Sequence, residues 1–139
     1  MKFVQIKYPD VKLLQQFIDE AGTSLKSFRY FQNRPLEIIK NHLCSFLLLD
    51  EEEPVAYGHL DKEKETIWLG IAVSEKHIGI GLGVIMMNQL ITFAKQNKVK
   101  EIKLSVDNDN ISAIKLYEKL GFKLTKQKET FGLYLLQLN

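Results

Sequence analysis

The sequence predicts a single α/β domain, and three features predict it. Residues 44–73 hold three strand-like runs in succession, "CSFLLLD", "EPVAYGHLD" and "TIWLGIAV", parted only by acidic turns. A long helical pattern follows and leads to another strand, "VKEIKLSV" at 99–106. Strands joined through a helix are parallel neighbours with a right-handed connection. A second short helix and a hairpin then finish the chain. At 139 residues, one domain covering 1–139 is the simplest division, since domains typically run to about 100–150 residues.

Taken in order, "KFVQI" reads as a first strand. "PDVKLLQQFIDEAG" is a helix with Asp10 as N-cap, an apolar stripe of Leu13, Leu14, Phe17 and Ile18, and Gly22 at its end. Residues 23–35 form a loop or a short helix, and Pro35 sits at the start of another helix, "PLEIIKNH". The meander comes next, with turns at Glu51–Glu53 and at "KEKE". The helix from about Gly81 to Asn97 carries Leu82, Met86, Leu90, Phe93 and Ala94 on one face. Asn110 opens and Gly121 closes "NISAIKLYEKLG", and "FKLTKQKETFGLYLLQL" is the hairpin.

Composition excludes several classes. The chain is 45% hydrophobic and 26% charged, ordinary for a soluble domain. A formal charge of +2, with basic and acidic residues interspersed, gives no nucleic-acid footprint. No apolar run approaches the roughly 20 residues that span a bilayer. Cys44 is the only cysteine, so no intrachain disulfide forms, and without a signal-peptide pattern a cytoplasmic location is expected. The three histidines and one cysteine have no metal-ligand spacing, so no metal is expected.

The distinctive stretch is "EKHIGIGLGVIMM". Gly79, Gly81 and Gly83 alternate directly before the long helix. Glycine inside a helix costs about 1 kcal/mol relative to alanine, so three need a reason. A glycine-rich turn at a helix N-terminus offers free backbone N–H groups and a positive dipole end, a ready anion site. The alternative is close packing of the helix start on the sheet. Walker A would need Gly-Lys-Ser/Thr, but Val84 follows Gly83. The dinucleotide fingerprint fails as well, with Val84 and Met86 where its third glycine would stand.

"VSEKHIGIGLGVIMM" resembles motif A of the GCN5-related N-acetyltransferases, Arg/Gln-x-x-Gly-x-Gly/Ala after a strand. Gly81 and Gly83 fill the glycine positions, and Ile78 departs at Arg/Gln. "VDNDNISAIKLYEKLGF" resembles motif B, with Asn110, Ala113, Leu116, Tyr117, Gly121 and Phe122 in place. The resemblance spans nearly the whole chain and is weakest at 20–45. It implies a mixed central sheet with an antiparallel N-terminal meander, a splayed parallel pair and flanking helices.

It also implies acetyl-CoA as cofactor, in the cleft between the splayed strands. Residues Gly79, Ile80, Gly81, Leu82, Gly83 and Val84 would hold the pyrophosphate, with Asn110, Ala113 and Tyr117 from motif B. Ile71, Ala72 and Val73 would pair with the pantetheine like an added strand. A backbone N–H near Val73 would meet the charge developing on the thioester oxygen. Tyr117 stands at the family's position for the acid that protonates the leaving thiolate.

The attacking amine must shed a proton, since a lysine-like amine has a pKa near 10.4. "IWLGIAV" has no acid for this. A two-residue loop of Glu63 and Lys64 would pair Asp61 with Thr66 and His59 with Trp68, placing residues 57, 59, 61 and 68 on one face. His59 or Asp61 is then the candidate base, with a water chain as the alternative. In "SFRYFQNRP", Arg29, Tyr30 and Arg34 could grip an anionic acceptor, with Trp68 as a wall. The expected activity is acetyl transfer to a small-molecule primary amine, such as an amino sugar or its nucleotide. A CoA-binding module without turnover and a peptide acceptor are the alternatives. Edge strands near the C-terminus could pair in a homodimer.

Overall fold

The computed structural model describes residues 1–138. One seven-stranded sheet runs in the order β1-β2-β3-β4-β5-β7-β6. The strands are β1 (Lys2–Gln5), β2 (His42–Asp50), β3 (Glu53–Glu63), β4 (Thr66–Val73), β5 (Glu101–Asp107), β6 (Lys123–Gln127) and β7 (Phe131–Gln137). Three α-helices, α1 (Lys12–Glu20), α2 (Leu82–Gln96) and α3 (Ile111–Lys119), complete the frame. All strand pairs are antiparallel except β4 and β5, which pair in parallel. That contact is a single register pair, Trp68 with Lys103, so the two strands part beyond it.

Two cores lie on opposite faces of the sheet. Leu14 and Phe17 of α1 pack with Leu47 and Tyr57, while Met86, Met87 and Leu90 of α2 pack with Leu60, Ile102 and Tyr117. Gly58 permits the second contact, because a Cβ there would sit 2.7 Å from the Met86 side chain. The helix therefore rests directly on β3.

Several local expectations need correction. Asp10 does not cap α1, whose N-cap is Val11 with no side-chain hydrogen bond. The Asp10 amide instead closes a turn onto Lys7. Residues 22–26 and 36–41 are 3-10 helices, the latter following an extended Pro35. Strand β2 begins at His42, two residues before the expected start. The β3–β4 turn is Lys64–Glu65, with Lys64 at φ 57. Asp61 therefore pairs with Trp68 and His59 with Gly70. The register moves by two residues, an even step, so the same side chains keep the same face.

Candidate active site

The parting of β4 and β5 opens a cleft of about 640 Å³. Its floor is the β4 edge. The Ser74 amide bonds Val55 of β3, so alternation turns the Val73 and Ile71 backbone groups the other way, into the gap. The Val73 carbonyl there accepts one hydrogen bond from the Ser24 hydroxyl, and the Val73 N–H faces the same gap. Ala72 contacts the cleft while its side chain belongs to the α1 core.

The glycine turn forms one wall. Gly79 and Gly81 both have φ +88, and a Cβ on either would meet nothing within 4 Å. Their requirement is the left-handed backbone, which L side chains resist, and not crowding. Gly81 is the N-cap of α2 and points the first amides of that helix at the cleft mouth. Gly83 differs: its Cβ would lie 3.2 Å from Leu116, so it serves the packing of α2 on α3. Leu82 and Val84 also line the cleft, whereas the Ile80 side chain is 61% exposed and stands outside it.

Asn110, Ala113 and Tyr117 of α3 form the opposite wall. Asn110 is the N-cap of α3 without a side-chain cap bond, so its amide is not spent on the helix end. Tyr117 is buried, and burial pushes its phenol up to about 12. It stays protonated at neutral pH.

A second cavity, about 480 Å³, adjoins the cleft on the α1 face. Arg29, Tyr30, Arg34, His59, Asp61 and Trp68 all reach it, so the structure brings together every predicted acceptor-side residue. Gly70, Phe28 and Arg29 border both cavities. His59 sits at this junction. Its Nδ1 is 2.8 Å from the Tyr57 hydroxyl, and its Nε2 would be 2.6 Å from a Gly70 Cβ. Complete burial, then His42 and Arg34, holds the His59 pKa well below the usual histidine value. The ring is neutral at pH 7.

The two arginines are engaged within the chain. Arg29 makes a bidentate pair with Asp107 at 2.9 and 3.0 Å, and Arg34 lies 4.3 Å over the Tyr30 ring while bonding its carbonyl. Arg29 is committed to Asp107, whereas Arg34 keeps guanidinium donors beyond its one bond to the Tyr30 carbonyl and lines the cavity. One residue that sequence reasoning passed over stands behind Tyr30: His42 lies 2.8 Å from the Tyr30 hydroxyl. No local signal marks it, because the contact joins a loop to a strand. Among the described residues, no group of His, Cys, Asp and Glu is placed to hold a metal ion. No helix there is long and apolar enough to cross a membrane.

The architecture and the two walls of the cleft define an acetyltransferase-type fold. A family model described as "Acetyltransferase (GNAT) family" matches residues 11–122, and the chain belongs to that family. It is 35% identical over 74 residues to a spermine/spermidine N(1)-acetyltransferase of Bacillus subtilis, covering 52% of this chain and 49% of that protein. It is 30% identical over 138 residues to human N-alpha-acetyltransferase 30, covering 94% of this chain and 36% of that protein. The chain thus spans half or less of the length of these relatives. A GNAT-family acetyltransferase from Elizabethkingia anophelis, solved with acetyl-CoA bound, superposes with a TM-score of 0.77 at 17% identity, over 99% of this chain and 97% of that one.

Proposed function

We propose that this chain is an acetyl-CoA-dependent N-acetyltransferase that acts on the primary amine of a small molecule by direct attack. The observation that carries it is the junction at Gly70, where a cleft suited to the donor meets a separate cavity under the His59 imidazole. The fit to the donor rests on the left-handed turn at Gly79 and Gly81, the Val73 N–H facing the gap and the open wall at Asn110 and Ala113.

Bound acetyl-CoA supplies the acetyl group as a thioester. The backbone amides of residues 79–84, Ile80 contributing main chain alone, hold its phosphates at the positive end of α2. Ile71, Ala72 and Val73 align its extended arm, and the Val73 N–H faces the carbonyl oxygen as charge grows there. His59, neutral and at the junction, takes the proton from the incoming amine. Asp61 lies two residues further along β3, opposite Trp68, and holds the ammonium before it loses that proton. Tyr117 donates to the departing sulfur. Tyr30 and Trp68 wall the acceptor, with Arg29 and Arg34 bracing the loop that carries Tyr30.

Because Arg29 is paired with Asp107, an anionic acceptor would draw on Arg34 alone, whereas a cationic amine draws on Asp61 and the aromatic walls. A cytoplasmic site of action, and a homodimer through the exposed β6 edge, belong to the same proposal.

The test is thiol release from acetyl-CoA across amino sugars, amino acids, polyamines and lysine peptides. Turnover on one class, lost in Tyr117→Phe, supports the reading. CoA binding with no turnover on any amine points to a non-catalytic module, and no CoA binding at all overturns the assignment of the glycines.

A further inference from the structure

Ser45 and His42 line neither cavity, yet three hydrogen bonds run from them into the acceptor site. Ser45 Oγ lies 2.7 Å from His42 Nδ1, His42 Nε2 lies 2.8 Å from the Tyr30 hydroxyl, and that hydroxyl donates to Asp61 Oδ2 at 2.8 Å. Residues three apart on a regular strand face opposite sides of the sheet. A register shift between His42 and Cys44 breaks that alternation and brings His42 and Ser45 to one face. His42 is then directly opposite Asp61, and Ser45 opposite His59.

Proton counting fixes the direction of this chain of bonds. An ionised carboxylate only accepts, so Tyr30 spends its single proton on Asp61. The Tyr30 oxygen can then only accept from His42, whose Nε2 must carry the hydrogen. A neutral imidazole has no second proton, which leaves Nδ1 to accept from Ser45. Burial holds His42 down to about 4, so the ring is neutral at working pH. Tyr30 itself comes from an irregular loop and has no ladder of backbone bonds to hold its ring.

We infer that His42 and Ser45 are positioning residues for the acceptor site: they aim the Tyr30 hydroxyl at Asp61 Oδ2 and so leave Oδ1 for the substrate's ammonium. The inference rests on the reading of the second cavity as the acceptor site. It adds two residues that never touch substrate, and it specifies one tautomer.

Two measurements on the full chain test it. Nitrogen-15 spectra of the histidine rings should show His42 as the Nε2–H tautomer at pH 7, and Tyr30→Phe should shift that nitrogen. The Nδ1–H tautomer, or a doubly protonated ring above pH 6, overturns the direction. Steady-state kinetics supply the second. His42→Phe should raise the acceptor KM about tenfold, the scale of one lost hydrogen bond to a charged network, with kcat changed less than about twofold. His42→Gln, which keeps a donor near Nε2, should recover most of that loss. In an Asp61→Asn background His42→Phe should cost nothing further; a full, additive loss there overturns the inference. Ser45→Ala gives a milder version should His42→Phe fold poorly. If the wild-type chain turns over no amine, the enzymatic reading fails, while the tautomer still decides the relay.

Discussion

The His59 imidazole lies across Gly70, so that a Cβ on the glycine would sit 2.6 Å from Nε2 and 3.1 Å from the Phe28 ring. No side chain at residue 70 is compatible with the present place of that ring. Gly70→Ala must therefore move His59 or Phe28. Overpacking of this kind costs about 1–3 kcal/mol, and here it displaces the proposed base from the junction. The expected result is a lower melting temperature together with a fall in kcat of at least tenfold. An alanine variant with normal turnover would show that His59 is not needed at its present position.

Tyr117 separates catalysis from binding. Its ring packs with Phe122 at a centroid distance of 6.0 Å, and phenylalanine preserves that contact. Tyr117→Phe should leave stability and CoA affinity close to wild type while kcat falls by about 10²–10⁴, the range for loss of a general acid. Calorimetric titration with CoA beside a thiol-release assay reads both. Equal losses of affinity and rate would instead limit Tyr117 to holding CoA, without a role as acid.

The parts that sequence revealed and concealed divide on a physical line. Elements governed by local pattern were legible: α2 with its Leu82, Met86 and Leu90 face, the meander, and the cleft residues Gly79, Gly81 to Val84, Asn110 and Ala113, though not Ile80. The shared face of His59, Asp61 and Trp68 survived a misplaced turn because the slip was two residues. Residues 22–41 were opaque because side-chain bonds to distant strands hold them: Ser24 to Val73, Arg29 to Asp107 and Tyr30 to Asp61. The bulge that turns His42 inward is likewise a property of two paired strands. No periodicity within either strand encodes it.

Arg29 and Asp107 join the irregular loop to the end of β5 beside both cavities. The pair is substantially solvated, with side-chain exposures of 49% and 27%. Exposed ion pairs contribute about 0–1 kcal/mol, so Arg29→Ala should alter unfolding free energy by no more than about 1 kcal/mol. Its effect should fall on the loop's position, as an acceptor KM that rises several-fold and a wild-type KM that rises with salt. An unchanged KM in both experiments would make the pair decorative.

A buried and a half-buried neutral histidine give the fold an acid limit. Burial lowers His42 to about 4 and holds His59 well below its ordinary value, while both titrate near 6.5 when unfolded. Below 6.5 the unfolded chain binds protons that the folded chain refuses, so stability rises with pH across this window. Their contribution is whole above about pH 6.5 and drains away as pH falls toward 4. The full His42 shift would correspond to about 3 kcal/mol, and partial solvation of that ring reduces it, so a loss of about 1–2 kcal/mol between pH 7.5 and 5 is expected. Asp107, held low by Arg29, adds its own loss only at lower pH, through the ordinary carboxylate range and beneath it. Urea midpoints at pH 7.5 and 5 should therefore differ clearly in the wild type and much less in the double variant His42→Gln, His59→Gln. Equal midpoints in the wild type would mean that these rings bind protons in the folded chain as readily as in water, and would overturn the acid limit.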